Sequence, residues 1–308
     1  MGSGLGDAQR QVLDRSASLR QHQRDGQRSP HKPLLVLLAL GRLAGTGSSE
    51  LPWSAAESAL ADLIAEFGPP SRTGRAQSAA YPFTRLRADG VWVLNQDVQM
   101  DLVGPLASKH VSGRLEPSVE SALRDDPGLI RAAARGLVLS NFPDTVAPDV
   151  LAAVGLDPET VLSAADDLGD ERPAAMPRRR NPAWRSAVLQ AWDRQCAFCG
   201  YDGQLAGASA GIDAAHVRWF TFDGPDDLDN GLALCALHHK LFDLGALGLD
   251  LNLRVLVSAV FRARTSAGRT VYELHGRLLT PRPGTITPSA DYITWHTREV
   301  FKGKPLAA

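Results

Sequence analysis

Apolar positions in this chain recur at helical and strand-like spacings, and Pro and Gly clusters cut the pattern into short elements. Residues 7–28 read as a polar helix with apolar Val12 and Leu19 among arginines, interrupted at Pro30. A proline in the first turn gives up only a donor the helix does not use. Pro33 can therefore open a buried helix through PLLVLLALGRL, followed by a loop from Gly45 to Ser49. Ala56, Leu60, Leu63, Ile64 and Phe67 fall on one helical stripe, which predicts an amphipathic helix from Trp53 to Phe67, ended by Gly68-Pro69-Pro70. After the polar stretch 71–80, Tyr81-Pro82-Phe83 and Leu86 lead to Asp89-Gly90 and then Val91-Trp92-Val93-Leu94. An Asp-Gly pair between apolar residues predicts a β-hairpin. Further helices are predicted at Pro117–Leu123, Pro127–Leu139 and Pro148–Val154, the last stopped by Gly155.

Between 165 and 182 the periodicity is lost among Asp, Arg and Pro, the composition of a linker. The expected organisation is a mainly helical first domain over 1–165, a linker over 166–182 and a second domain over 183–308. In the second domain VLVSAVFRA is strand-like, Ser266-Ala267-Gly268 marks a turn, and YITWHTREVF reads as a short closing helix. The fold class is α+β.

Hydrophobic residues make up 44% and charged residues 22%, which supports packed cores and excludes a disordered or supercharged chain. The net charge of −1 conceals two basic clusters. One holds Arg10, Arg15, Arg20, Arg24, Arg28, Lys32 and Arg42; the other holds Arg178, Arg179, Arg180, Arg185 and Arg194. The first reads equally well as a solvated helix face or as a nucleic-acid-binding patch, and the second as a basic linker or as such a patch. The apolar run from 33 to 43 is too short to span a bilayer. The polar amino terminus predicts no secretory segment, and a cytoplasmic location is expected.

All three cysteines fall into two half-sites, Cys196-x-x-Cys199 and Cys235-x-x-His238. Two such turns complete a tetrahedral zinc site, and four protein ligands leave no open position for water, so the zinc is expected to be structural. Asp213-Ala214-Ala215-His216, Asn230-Gly231 and His239 supply a further His, Asn and His in order.

The stretches DAAHVRWF and DNGLALCALHHKLFDLG resemble the HNH endonuclease family over roughly residues 184–245. The resemblance implies a ββα-metal domain in which a catalytic Mg2+ or Mn2+ lies between a hairpin and a helix. It implies that His216 is the general base, Asn230 holds the loop and orients that base, and His239 ligates the cation. Many relatives have an acidic ligand directly before the base, where this chain has Ala215. Asp213 matches the variant with two alanines before the histidine and is weakly favoured. An offset of three on a regular strand, however, points it to the opposite face unless the backbone bends. Asp243 is the rival, because four residues after His239 it shares that residue's helix face.

In the first domain, HKPLLVLLALGRL, AAYPFTRLRADGVWVL and FPDTVAPDVLAAVGL resemble the sulfur-binding domain of McrA-like, phosphorothioate-dependent type IV restriction endonucleases. PSADYITWHTREVFKG resembles the tail of those enzymes. The resemblance implies that Tyr81 and Pro82 wall a shallow cavity for the sulfur, and that His31 and Lys32 form a basic pair beside it. By nearness in sequence Ser78 or Ala79 would line the rim, and Arg72, Arg75, Arg85 and Lys109 are candidates for reading bases. The function implied is cleavage of phosphorothioated double-stranded DNA. Two alternatives stay open: a nuclease reading ordinary sequence or another modification, and a DNA-binding protein that no longer cuts. Double-strand cleavage needs two active sites or two events, which a homodimer would provide.

Overall fold

The computed structural model describes residues 13–15, 19, 23–24, 27–71, 77–163 and 181–307. The chain forms two compact units, Met1–Pro177 and Arg178–Ala308. The stretch expected as a linker lies outside the described residues up to 180, as do Arg178, Arg179 and Arg180.

The first unit is built around the helix His31–Thr46, in which Leu34, Leu35, Leu37 and Leu40 are buried almost completely. An apolar surface this broad needs partners on several sides. The helices Trp53–Phe67, Ala80–Arg85, Pro117–Asp125 and Pro127–Asn141 pack around it. Beside them lies a three-stranded antiparallel sheet with Ser112–Leu115 in the middle, flanked by Leu51–Pro52 and Trp92–Leu94. An edge-to-face row of Trp53, Phe83 and Trp92 ties this sheet to the helix Ala80–Arg85. The Trp92 indole also donates to the Phe83 carbonyl at 3.1 Å.

Two expectations fail here. Gln23–Arg24 and Gln27–Arg28 pair as short antiparallel strands where one long helix was expected; residues 20–28 carry no apolar side chain that could hold a helix against a core. Asp89-Gly90 does not turn a hairpin. Gly90, at φ 70°, closes the 3-10 turn Leu86–Asp89, and Trp92–Leu94 pairs with Ser112–Leu115 instead. Hairpin turns and helix ends share the demand for a left-handed residue, so the dipeptide alone does not separate them. Tyr81-Pro82 consequently lies on a helix.

The second unit centres on the antiparallel pair Ile212–His216 and Gly231–Cys235, matched residue for residue from Ile212↔Cys235 to His216↔Gly231. The helix Pro182–Ala191, capped by the Asn181 side chain, packs on this pair. The approach is close enough that a Cβ on Gly231 would lie 2.5 Å from Val188, which explains a glycine after Asn230. The helix Ala236–Asp243 follows directly from the second strand, and a second pair, Leu247–Leu249 with Val255–Val257, follows that helix. Within VLVSAVFRA only Val255–Val257 is a strand, and the expected Ser-Ala-Gly turn is the short helix Ser266–Arg269.

The closing helix, Ala290–Glu299, buries His296 completely against Phe242, with ring centroids 3.8 Å apart. Its Nε2 donates to the Phe242 carbonyl at 3.1 Å, while Nδ1 is buried without a hydrogen-bond partner among the described residues. Burial pushes the His296 pKa down to about 3. The unfolded chain, titrating near 6.5, therefore binds the proton that the fold refuses. Stability from this residue is fully present above about pH 6.5 and is lost as pH falls towards 3, by at most about 1.4 kcal/mol per pH unit. Denaturant unfolding of the parent and His296→Phe at pH 7 and pH 5 should show a larger acid loss in the parent. Equal losses would contradict a buried neutral imidazole.

Candidate functional site

The strand Gly231–Cys235 ends at Cys235, which is also the N-cap of the helix Ala236–Asp243. That continuity brings His238 back over the strand end. The Nδ1 of His238 lies 3.2 Å from the Cys235 sulfur and 3.5 Å from the Cys196 sulfur. With Cys199 included, the four ligand atoms all lie within 4.8 Å of one another. Hydrogen bonds from Cys199 and then Cys235 push the Cys196 thiol far down, while its bond to Cys196 pushes Cys199 up. Burial would lower the His238 pKa, but Cys196 and Cys235 hold it up at about 9. Three thiols and an imidazole converging in this way form a set suited to a cation, which takes over the role of their shared protons.

At the other end of the same strand pair sits His216, buried at 7% exposure. Its ring stacks on Trp184 at 3.8 Å between centroids and 16° between planes. Its Nε2 lies 2.9 Å from an oxygen of Asp226, whose other oxygen accepts from the Asn181 backbone N–H at 3.1 Å. Asn230 is fully buried. Its amide donates to the carbonyls of Arg218 and Pro225, and its oxygen accepts from the Arg218 N–H, which fastens the loop between the strands.

Successive helical residues point about 100° apart, so His238 and His239 face different sides. His239 Nε2 lies 3.3 Å from Asp243 Oδ2. Asp243 is only 4% exposed, and its Oδ1 accepts from the Trp219 indole at 3.1 Å. Two donors this close can share one cation. Asp213, favoured in the sequence over Asp243, lies elsewhere. The strand pairs regularly through it without a bend, its side chain is 56% exposed, and Arg185 holds it at 2.6 Å. Asp226 gave no signal in the sequence, where it is one of four aspartates crowded ahead of Asn230. Trp184, on a helix of its own, gave none either.

In the first unit, the helix Ala80–Arg85 buries Ala80, Pro82, Phe83 and Thr84, which leaves Tyr81 and Arg85 at the surface. Tyr81 meets the His31 ring edge-on at 6.4 Å, and the Arg85 guanidinium carbon lies 4.8 Å from the Tyr81 ring centroid. Burial raises the Tyr81 pKa, which keeps its hydroxyl protonated and able to donate. Ser78 is exposed and Ala79 buried at the start of this turn. Lys109 is exposed on another segment, and Arg72 and Arg75 lie outside the described residues.

Lys32 departs from its expected part in a surface basic pair. It is buried with Asp89, their charged atoms 2.5 Å apart. Removing one partner of such a pair costs roughly 3–5 kcal/mol. Lys32 therefore anchors the His31–Thr46 helix to the turn that ends at Asp89, and its charge is neutralised inside the fold.

Residues 9–159 match the family model described as a ScoMcrA-like DNA sulfur-binding domain, and residues 196–250 match that of an HNH endonuclease. No curated protein matches the chain. Among solved structures it is similar to the sulfur-binding domain of ScoMcrA complexed with phosphorothioated DNA, at 23% identity and a TM-score of 0.38, covering 46% of this chain and 97% of that one. It is also similar to the Type IV phosphorothioation-dependent restriction endonuclease ScoMcrA, at 16% identity and a TM-score of 0.37, covering 74% and 93%. The modification-dependent TagI restriction endonuclease aligns at 24% identity and a TM-score of 0.31, over 38% of this chain and 37% of that one. The family matches, and not these alignments, carry the assignment. No described helix is long and apolar enough to cross a membrane.

The Cys196, Cys199, Cys235 and His238 set should retain one tightly held metal ion per chain through purification, as read by elemental analysis. Cys235→Ser should release the ion and unfold the second unit, because such a site contributes folding free energy directly. A metal-free protein with an unchanged melting profile would remove the set from any structural role.

Proposed function

We propose a division of labour for a chain that is a phosphorothioate-dependent DNA endonuclease, a ScoMcrA-like DNA sulfur-binding domain joined to an HNH endonuclease domain. The first unit takes the modified backbone at Tyr81, with His31 and Arg85 beside it. The support is the half-buried Tyr81 ring, with an imidazole at its edge and the Arg85 guanidinium over it. Sulfur is larger and less strongly hydrated than oxygen, so an aromatic wall gains more from it, while Arg85 offers charge to neighbouring phosphates.

In the second unit we assign His216 as general base. Asp226 at Nε2 favours the tautomer that carries its proton there, which makes Nδ1 the basic nitrogen of the ring. The same carboxylate stabilises the imidazolium that results, and Trp184 holds the ring plane. Asn230 keeps the intervening loop from swinging His216 away. His239 and Asp243 are the ligands for the divalent ion, Mg2+ or Mn2+, which would supply charge for the phosphate and the leaving oxygen. The cysteine set is assigned to zinc in a structural role, since three sulfurs and one nitrogen close a tetrahedral shell. The observation that carries the catalytic assignment is the His216–Asp226 contact at one end of the strand pair whose other end bears the thiols.

His216→Ala should lower cleavage of sulfur-bearing DNA by roughly 10²–10⁴-fold, the usual worth of a general base, while metal content and DNA affinity stay near the parent's. Cleavage at the parent rate across pH 6 to 9 would refute the base. In the same assay Asp243→Asn should weaken Mn2+ activation sharply and Asp213→Asn should not; the reverse order would move the ligand to Asp213.

Recognition is tested separately. Tyr81→Ala should weaken binding to a duplex bearing one phosphorothioate by several-fold more than binding to the matched ordinary duplex at the same salt. Equal losses on the two duplexes would take the sulfur contact away from Tyr81.

A further inference from the structure

Arg85 leaves the end of the helix Ala80–Arg85 and is gripped by a residue sixteen positions away. Its Nε lies 2.9 and 3.1 Å from the two oxygens of Asp101, and its Nη2 lies 2.5 Å from one of them. This fork-on-carboxylate arrangement is the one a guanidinium also makes with a phosphate. The same guanidinium stands over the Tyr81 ring.

Asp101 is not a loosely tethered surface acid. Its backbone sits at φ 66°, a left-handed conformation that Asp tolerates better than most residues. Its N–H donates to Thr84 Oγ1 at 3.1 Å, and buried Thr84 donates in turn to the Ala80 carbonyl at 2.8 Å. Asp101 is thus fixed to the same helical turn that presents Tyr81 and Arg85. On both sides of it Met100, Leu102 and Val103 are exposed at 56%, 43% and 40%. Both side chains of the ion pair are well exposed, at 44% and 37%, so the pair adds little to folding. In binding, the same small energy is a factor of roughly two to five in affinity.

We propose that Asp101 sets the DNA affinity of this surface, its carboxylate standing in for a DNA phosphate on Arg85 beside Tyr81, so that ordinary backbone alone binds weakly. Ordinary backbone reaching Arg85 must displace a matched partner and gains little. A backbone that adds a contact at Tyr81 can offset that displacement. The proposal rests on the reading that Tyr81 faces sulfur-bearing DNA.

The test is equilibrium binding of the full chain to a duplex with and without one phosphorothioate, over a salt series. Asp101→Asn is the variant to use, because Asn accepts the left-handed backbone. It should tighten binding to the ordinary and the modified duplex alike, by roughly two- to fivefold. It should also steepen the salt dependence by up to about one phosphate contact. In an Arg85→Gln background most of that gain should vanish. Unchanged ordinary-duplex affinity, or the same gain without Arg85, overturns the proposal. Should Asp101→Asn fold poorly, Arg85→Gln alone decides: it must weaken the modified duplex, and no loss there also overturns the proposal. A parent that binds both duplexes equally would refute the sulfur reading. The Arg85-dependent gain on ordinary DNA is a separate quantity and judges Asp101 by itself.

Discussion

The register of one strand pair governs the nuclease unit. Five consecutive antiparallel partners, from Ile212↔Cys235 to His216↔Gly231, leave no slack for a slip, and a slip of one residue would turn every side chain to the other face. At about 3.3 Å per residue the ladder separates its two ends by roughly 13 Å. One end carries the thiol cluster and the other carries His216. The helix Ala236–Asp243 begins at the thiol end and runs across the pair. Its first turn gives His238 to the thiols, and the next face carries His239 and Asp243. A single register thus separates the three thiols and imidazole suited to a cation from the residues assigned to chemistry.

Much of this was legible because it is local. Paired half-sites and an ordered His, Asn and His are properties of a short stretch, and the helix stripes from Trp53 and Pro127 are properties of single elements. What escaped depends on partners distant in sequence. Arg85 meets Asp101 only after the loop that follows the Trp92–Leu94 strand folds back. Lys32 meets Asp89 across most of the first unit's core. Asp213 looked suitable by its position in a motif, and the unbroken pairing of its strand leaves it exposed beside Arg185. Periodicity reports which face a side chain takes, but not which charge lies opposite it.

Two ion pairs of the first unit, one of lysine and one of arginine, show why burial decides what a charge can do. Lys32 and Asp89 are both almost fully enclosed, so separating them would strand a charge in a medium that cannot solvate it. That pair is architecture. Arg85 and Asp101 make a geometrically better, bidentate contact, yet water reaches both, and exchanging Asp101 for a phosphate costs little. Adjacent to one aromatic residue, the exposed pair can take part in binding while the buried pair holds its helix in place.

Solvent exposure also accounts for the thiol cluster. The segment between Cys199 and Ile212 contains only the two-residue strands Gln204–Leu205 and Ala208–Ser209, and its large apolar residues Tyr201 and Leu205 are exposed at 47% and 76%. So little burial cannot order a loop of that length against its conformational entropy, about 1–2 kcal/mol for each residue's backbone. A metal held by three thiolates and an imidazole supplies on the order of 10–16 kcal/mol in small domains, comparable with the whole net stability of an ordinary fold. Cys196 and Cys199 close one end of that loop, and Cys235 ties the strand Gly231–Cys235 to it. Because that strand is the partner of the one carrying His216, an ion held by this set would fix the frame on which the residue assigned as base sits.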